Sequence, residues 1–190
     1  LFGVLVATYP AFQLVGAPIL GKWSDRIGRK KVLLMSQAGT LLAWLLFILA
    51  LMMPVETLFE VDNGITGPFL LTLPLIILFL ARALDGLTGG NVSVANAYLS
   101  DVSTNENRKA NFGKMASSTS LGFIVGPMIA SVLGGTEYGE LLPVMAAAVV
   151  SSIAIFVIQF YLPESNPQLV DPHIEPLKVT KLFSIEQKEC

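Results

Sequence analysis

The distribution of charged residues limits the fold of this 190-residue sequence more than any other feature. A helix needs about 20 apolar residues to cross a hydrocarbon core roughly 30 Å thick. Four of five charge-free stretches reach that length, and the third continues past Arg82 and Asp85 into the charge-free segment Gly86–Ser100. The sequence therefore predicts an all-α, polytopic membrane protein with five transmembrane helices. The five stretches are Leu1–Gly21, Val32–Val55, Asn63–Ala81, Met115–Thr136 and Leu141–Pro163.

The same stretches set the domain organisation. We predict a partial transmembrane bundle over residues 1–163, followed by the start of a polar, proline-containing cytoplasmic linker over residues 164–190. From Phe69 to Asp101 we expect one long helix of about 50 Å, at roughly 1.5 Å per residue. Two helices joined by a break at Gly89-Gly90 are the alternative. The predicted helices lie at about 1–20, 32–54, 69–100, 112–135 and 141–162.

Reactive and metal-binding side chains are scarce. Cys190 is the single cysteine and His173 the single histidine, which excludes a disulfide scaffold, a thiolate zinc site and a histidine triad within this chain. The net charge of −2 provides no basic excess for nucleic acid. We therefore expect a protein that is not an enzyme and holds neither a cofactor nor a metal, with the lipid bilayer as a partner.

The loops between the predicted helices differ sharply in charge. Lys22–Lys31 contains five Lys or Arg residues, and Asp101–Lys114 contains three. Pro54–Pro68 and Glu137–Glu140 contain none and carry acidic residues instead. Because basic residues mark cytoplasmic loops, the two basic loops and the linker are predicted to lie in the cytoplasm. The expected location is a cell membrane, either a plasma membrane or a bacterial inner membrane.

The loop after the first predicted helix carries the most specific motif. It reads Gly-Lys-Trp-Ser-Asp-Arg-Ile-Gly-Arg-Lys from Gly21 onward. Gly28 permits a tight turn between two antiparallel helices, and Asp25 is a carboxylate at a helix end. The segment resembles the G-x-x-x-D-R-x-G-R-[KR] signature that follows the second helix of the major facilitator superfamily. The matching signature residues are Gly21, Asp25, Arg26, Gly28 and Arg29.

The resemblance extends along nearly the whole chain. Segments 78–86, 86–101, 122–127 and 162–165 are similar to helices four, five and six of tetracycline-efflux-type drug:proton antiporters. It implies that the chain is helices two to six of a twelve-helix transporter, so its partners include a first helix and a C-terminal half. Four positions depart from the group: Ala43 replaces an acid, Asp85 replaces Gln or a small residue, and Ala130-Ser131 replaces a glycine pair.

One face of the third predicted helix collects polar and small residues. This face is unsuited to lipid, so it is predicted to pack against a partner helix or to line a substrate cavity. Close packing is the alternative for Gly86 and Gly89. Arg82 is expected near the bilayer midplane, about 20 Å from Phe69, where Asp85 can pair with it at i+3. The residues of this face are Arg82, Asp85, Gly86, Gly89, Ser93 and Asn96.

Two roles are implied by the resemblance. The fourth-helix arginine of the family acts in proton coupling, with Asp85 or an acid of the first helix as the proton acceptor. The residues Asp25, Arg29 and Asp101 form a relay that latches one conformational state; three solvated loop charges are the alternative.

Small residues recur every four positions in the fourth predicted helix. Such a ladder allows another helix to approach closely, and an internal proline can bend a helix. Two roles of these residues are left open by the sequence: close packing against another helix and a gating hinge. In the first helix, the isolated Gln13 is expected to hydrogen bond to a neighbouring helix. The ladder and proline are Gly122, Gly126, Pro127, Ala130 and Gly134.

These features predict a membrane transporter. The resemblance favours proton-coupled efflux of drugs or small metabolites by alternating access. An uptake symporter or facilitator for sugars or other metabolites is the first alternative. A non-transporting receptor or assembly factor on the same fold is the second.

The predicted topology is testable by cysteine labelling of the full-length protein. Cysteines introduced singly at Ser24 and Asn63, with Cys190→Ser in the background, are expected to react from opposite sides of the membrane with an impermeant reagent, because the two loops differ in basic charge. Reaction of both cysteines from the same side contradicts the topology.

Overall fold

The computed structural model describes residues 1–61 and 69–165 of the chain. Two short strands, β1 (Thr57–Val61) and β2 (Phe69–Thr72), pair antiparallel between the second and third helices. The helices in the described ranges are α1 (Phe2–Ile27), α2 (Arg29–Met52), α3 (Leu73–Thr88), α4 (Asn91–Asp101), α5 (Arg108–Gly134) and α6 (Leu141–Tyr161).

Five segments of the described ranges are long and apolar enough to cross a membrane. Four are single helices, and the fifth consists of α3 and α4 together, Leu73–Asp101. Large apolar side chains lie on the outside of the bundle, and Leu14 and Phe123 are each 78% exposed. Lipid is the solvent that such a surface requires, so the predicted all-α membrane fold is confirmed.

The best-packed part of the bundle lies near the turn between α1 and α2. Leu20, Val32, Leu33 and Val94 form a buried cluster there, and Ile158 of α6 packs against it. The cluster therefore joins α1, α2, α4 and α6. Helix α3 packs against α1 and α2, whereas none of the residues of α5 is buried.

The third span differs from the continuous helix predicted over Phe69–Asp101. Phe69–Thr72 forms strand β2, and α3 begins only at Leu73. The Thr72 hydroxyl accepts a hydrogen bond from the Leu75 N–H at 3.4 Å, and a proline occupies the first turn. Both features are typical of a helix N-terminus. The span is also interrupted at Gly89-Gly90, which is the alternative that the sequence left open.

Side chains from three helices satisfy the carbonyl groups at this break. The Ser36 hydroxyl of α2 donates to the Thr88 carbonyl. Gln13 Nε2 of α1 donates to the Gly89 carbonyl at 2.9 Å, so the predicted interhelical bond of Gln13 is confirmed. Ser93 Oγ of α4 donates to the Gly90 carbonyl at 2.8 Å. Because backbone groups in a membrane span need partners within the protein, these side chains allow the helix to break there.

The hydrogen bond at Thr88 predicts a stability effect. Ser36→Ala is expected to lower the free energy of unfolding of the full-length protein by about 1 kcal/mol, because the Thr88 carbonyl loses a donor from outside its own helix. Reversible denaturation in mixed micelles measures the change. Ser118→Ala is the control, since Ser118 donates to the Lys114 carbonyl one turn earlier on an exposed surface. Equal destabilisation by the two variants contradicts the assigned role of Ser36.

Candidate functional site

The turn between α1 and α2 brings three of the predicted latch residues together. Arg29 is the first residue of α2, and its side chain is only 9% exposed. Its Nη1 lies 2.5 Å from Asp25 Oδ1, and its Nε lies 3.1 Å from Asp101 Oδ2. Nη1 also donates to Ser24 Oγ at 2.6 Å. The guanidinium therefore connects the end of α1, the start of α2 and the end of α4.

The two more buried charged residues of the cluster, Arg29 and Asp101, each lie at a helix end whose dipole disfavours their charge. Arg29 lies at the positive N-terminus of α2, and Asp101 lies at the negative C-terminus of α4. Their ion pair offsets both dipole penalties. The Asp25 side chain is 54% exposed and the Asp101 side chain 25%, so the bond to Asp101 is less screened by solvent. Loss of Asp101 is expected to be more damaging than loss of Asp25, because the carboxylate that then remains is the more exposed and more screened one.

A fourth residue, Glu164, completes this cluster. Its carboxylate accepts hydrogen bonds from the backbone N–H groups of Arg29 at 2.8 Å and Lys30 at 3.1 Å. It thereby satisfies two of the N–H groups that a helix leaves unpaired at its N-terminus. Gly28 makes the approach possible: its φ is 104°, and a Cβ there would lie 2.6 Å from Glu164 Oε2.

Sequence reasoning did not find the role of Glu164. The carboxylate follows α6 and caps a helix that begins 135 positions earlier in the chain. Local patterns reveal a helix cap only when the capping residue adjoins the helix. Ser165, the next residue, donates from its hydroxyl to Asp101 Oδ2 at 3.2 Å. The similarity of residues 162–165 to tetracycline-efflux-type antiporters was the feature of the sequence that pointed to this segment.

The other two signature residues lie beside the cluster. Gly21 is in ordinary contact with α4, because a Cβ there would lie 3.7 Å from Ser93 Oγ. Arg26 is exposed in the last turn of α1. A role for either residue in a conformational latch stays a prediction.

Arg82 and Asp85 lie on α3 against α2. The Arg82 guanidinium is 5.0 Å from the centre of the Phe47 ring, a cation–π contact. Asp85 lies close enough to the Thr40 hydroxyl and to Arg82 to interact with both. No direct ion pair joins Arg82 to Asp85, although both side chains are within the described ranges. The i+3 pairing expected from the sequence is replaced by the contact with Phe47.

The distance of Arg82 from the start of its helix is shorter than expected. Because α3 begins at Leu73 rather than Phe69, Arg82 is nine residues into the helix, about 14 Å from its start. It therefore lies closer to the middle of the span Leu73–Asp101 than to the end that carries β1 and β2. The position expected for an acid in the relatives, Ala43, is buried and lines the same contact region as Arg82 and Asp85.

The remaining residues of the predicted polar face do not form one open surface. A Cβ at Gly86 would collide with the Tyr9 carbonyl of α1, and one at Gly89 would lie 2.7 Å from the Tyr9 hydroxyl. Ser93 Oγ also lies 3.0 Å from the Ala17 carbonyl of α1, so its single proton is shared between this carbonyl and that of Gly90. These positions therefore pack against α1. Asn96 is exposed. It was placed on the polar face by assuming one continuous helix, and the break at Gly89-Gly90 changes the orientation of the residues that follow.

The small-residue ladder of α5 faces outward. A Cβ at Gly122 or Gly126 would meet nothing within 4 Å among the described residues, and one at Gly134 would lie 3.7 Å from Pro143 Cγ. The helix continues through Pro127 without interruption. Ala130 and Gly126 also border an apolar groove of about 430 Å³ between α5, α6 and α2. Such a ladder permits close approach by another helix.

Comparison with known proteins agrees with this architecture. The tetracycline resistance protein of class E from Escherichia coli is 34% identical over 165 residues, which cover 87% of this chain and 35% of that protein. The class C protein from the same organism is 32% identical over 166 residues, covering 87% and 36%. Multidrug resistance protein 2 of Bacillus subtilis (strain 168) is 29% identical over 164 residues, covering 86% and 35%.

The fold also matches a solved structure. The crystal structure of the human organic anion transporter MFSD10 (TETRAN) superposes with a TM-score of 0.67 at 22% identity, covering 87% of this chain and 33% of that one. This chain thus spans about a third of the length of the proteins that it matches.

The motif-based resemblance and the comparisons lead to the same family. The family model of the Major Facilitator Superfamily matches residues 1–187, which is nearly the whole chain. The predicted similarity to tetracycline-efflux-type proteins is confirmed by the resistance proteins above. The chain belongs to the Major Facilitator Superfamily.

Proposed function

We propose that this chain is part of a transporter that exports drugs or small metabolites in exchange for protons by alternating access. Similarity to tetracycline and multidrug resistance proteins over most of the chain carries the proposal. The substrate class is left broader than tetracycline, because the apolar Ala43 stands where that group carries an acid. In this proposal the chain works with a first helix, a C-terminal half, the bilayer and protons.

The organisation of the transporter is part of the same proposal. Residues 1–163 form helices of the N-terminal bundle, and residues 164–190 begin the central linker. The basic loop Lys22–Lys31 and the linker are assigned to the cytoplasm. Alternating access then consists of rocking between two helix bundles around a site near the bilayer midplane.

The Arg29 cluster, which consists of Asp25, Arg29, Asp101 and Glu164, supports a latch at the cytoplasmic end. One buried guanidinium connects three helix ends, and Glu164 adds the end of α6 through its backbone contacts. Separation of α2 from α4 at this end breaks the bond between Arg29 and Asp101. An interaction that exists in one arrangement and not in the other biases the population of the two states.

Arg82 and Asp85 support a role in proton coupling. Two ionisable residues within a membrane span are costly, and functional sites are where such residues are usually found. Arg82 lies over the Phe47 ring of α2, whereas Asp85 lies near the Thr40 hydroxyl of the same helix. Because both charges lie on α3, their separation changes when the Arg82 side chain turns, and movement of α3 along α2 allows this by breaking the contact with Phe47. We assign Asp85 as the acceptor that takes up a proton when Arg82 moves away.

Proton-driven transport by the full-length protein in proteoliposomes tests the function. Arg82→Ala is expected to abolish transport driven by an imposed pH gradient while the protein still inserts, and Arg82→Lys retains little activity because the planar guanidinium is lost. Arg108→Ala is the matched control, since Arg108 also lies over a ring, that of Phe112, but at an exposed position. This control is expected to keep proton-driven transport.

Three outcomes contradict parts of the proposal. Normal proton-driven transport by Arg82→Ala removes the coupling role of Arg82. Transport by the unchanged protein that is independent of the pH gradient removes proton coupling altogether. Substrate movement in the same direction as protons favours the uptake symporter over the exporter.

A charge exchange tests the latch. Arg29→Asp and Asp101→Arg are each expected to reduce transport by about tenfold or more, because each leaves a partly buried charge without its partner. The double exchange is expected to restore part of the loss, since it also places each charge at the helix end that its dipole favours. Lys31→Asp combined with Asp101→Arg is the control, because Lys31 is exposed. Equal impairment of both double variants contradicts direct pairing as the basis of the latch.

A further inference from the structure

The hairpin of β1 and β2 is the part of the chain that the transporter mechanism does not use. It connects α2 to α3 at the end of the bundle opposite the Arg29 cluster. Only residues 53–56 separate α2 from β1, and α3 follows β2 directly. In its register Phe59 pairs with Leu71 and Thr57 with Thr72, so Leu58 is an extra residue that forms a bulge.

Both faces of this hairpin expose apolar side chains. Phe59 is 68% exposed on one face. Its partner Leu71 lies on the same face. The neighbouring Leu70 therefore points to the opposite face, and its side chain is 52% exposed. Antiparallel strands bordering water usually place polar residues on the solvated face. A protein that docks on one face would leave the other apolar face in water, whereas lipid contacts both.

The apolar surface of the hairpin continues that of the adjoining spans. Met52 at the end of α2 is 70% exposed, Val55 in the connection is 77% exposed, and Leu73 at the start of α3 is 42% exposed. The side chains of the spans face lipid, and the same kind of surface continues from Met52 to Val55 and from Leu70 to Leu73, where the intervening polar residue Thr72 is buried. The hairpin therefore begins where the hydrocarbon core ends.

The backbone sets how deep the hairpin lies. A two-stranded sheet has two open edges whose N–H and C=O groups need hydrogen-bond partners. Hydrocarbon supplies none, so the open edges exclude the hairpin from the bilayer core. The interfacial layer, about 5–8 Å thick on each side, offers water and headgroup oxygens to these groups and acyl chains to the apolar side chains.

We propose that this hairpin is an interfacial anchor that lies among the lipid headgroups, with Phe59 and Leu70 against the upper acyl chains. The occupant of its surface is lipid rather than a second protein. Residues 54–68 contain no Lys or Arg, which matches zwitterionic headgroups better than anionic ones. The anchor fixes the depth of the end of α2 and of the start of α3, independently of what the transporter carries.

Depth-dependent fluorescence quenching of the full-length protein in phosphatidylcholine vesicles tests the anchor. Phe59→Trp and Leu70→Trp are introduced singly, with Trp23, Trp44 and any tryptophan outside this chain replaced by Phe. Both variants are expected to show blue-shifted emission and a larger loss of intensity with nitroxide lipids labelled near the headgroup than with lipids labelled near the chain end. Glu106→Trp, at an exposed position in the polar loop between α4 and α5, is the control and is expected to be quenched by aqueous acrylamide.

Four results overturn the proposal. Emission at the wavelength of Trp in water, with strong acrylamide quenching at both positions, places the hairpin in solvent. Protection from both acrylamide and the nitroxide lipids means that a protein surface covers it. Stronger quenching by lipids labelled near the chain end places the hairpin in the hydrocarbon core. The two test positions lie on opposite faces, so protection of only one face also contradicts lipid as the occupant.

Discussion

Every backbone carbonyl of a membrane span needs a hydrogen-bond donor from the protein itself, and the packing of the first three spans follows from meeting this need at one place. At the interruption, side chains of α2 and α1 donate to the Thr88 and Gly89 carbonyls, and Ser93 of α4 adds a bond to the Gly90 carbonyl. These bonds require α1 and α2 to lie directly against α3. The absence of a side chain at Gly86 permits that approach on the α1 side. The position of Arg82 against Phe47 is a further result of the same close packing.

The Arg29 cluster follows a different rule, because its charges are placed where the helix dipoles disfavour them. A guanidinium at the start of α2 and a carboxylate at the end of α4 are each less stable alone than together. Such a contact is sensitive to the relative position of the two helices. The hydrogen bonds that the Glu164 carboxylate accepts are of a different kind. They satisfy backbone N–H groups at the start of α2 that have no intrahelical partner.

The sequence predicted the number of spans well because the absence of charge over about 20 residues has few other physical explanations. It also brought Asp25, Arg29 and Asp101 to one place, since the motif and the length of the third span put them at the same end. It did not separate β2 from α3, because an apolar run such as Phe69–Thr72 reads alike as strand or helix. The break at Gly89-Gly90 and the contact of Arg82 with Phe47 depend on side chains from other helices, which no local pattern contains. The cap by Glu164 was missed for the same reason.

The separation between Glu164 and the helix that it caps has a consequence for the order of assembly. A chain is synthesised from its N-terminus, so the start of α2 is complete long before Glu164, 135 positions later, has been added. Until then, the N–H groups of Arg29 and Lys30 depend on water for their hydrogen bonds, and the turn at Gly28 has to stay hydrated. Formation of the cap expels that water only after α6 has taken its place. Closure of this cap therefore requires that α6 has already packed against α2.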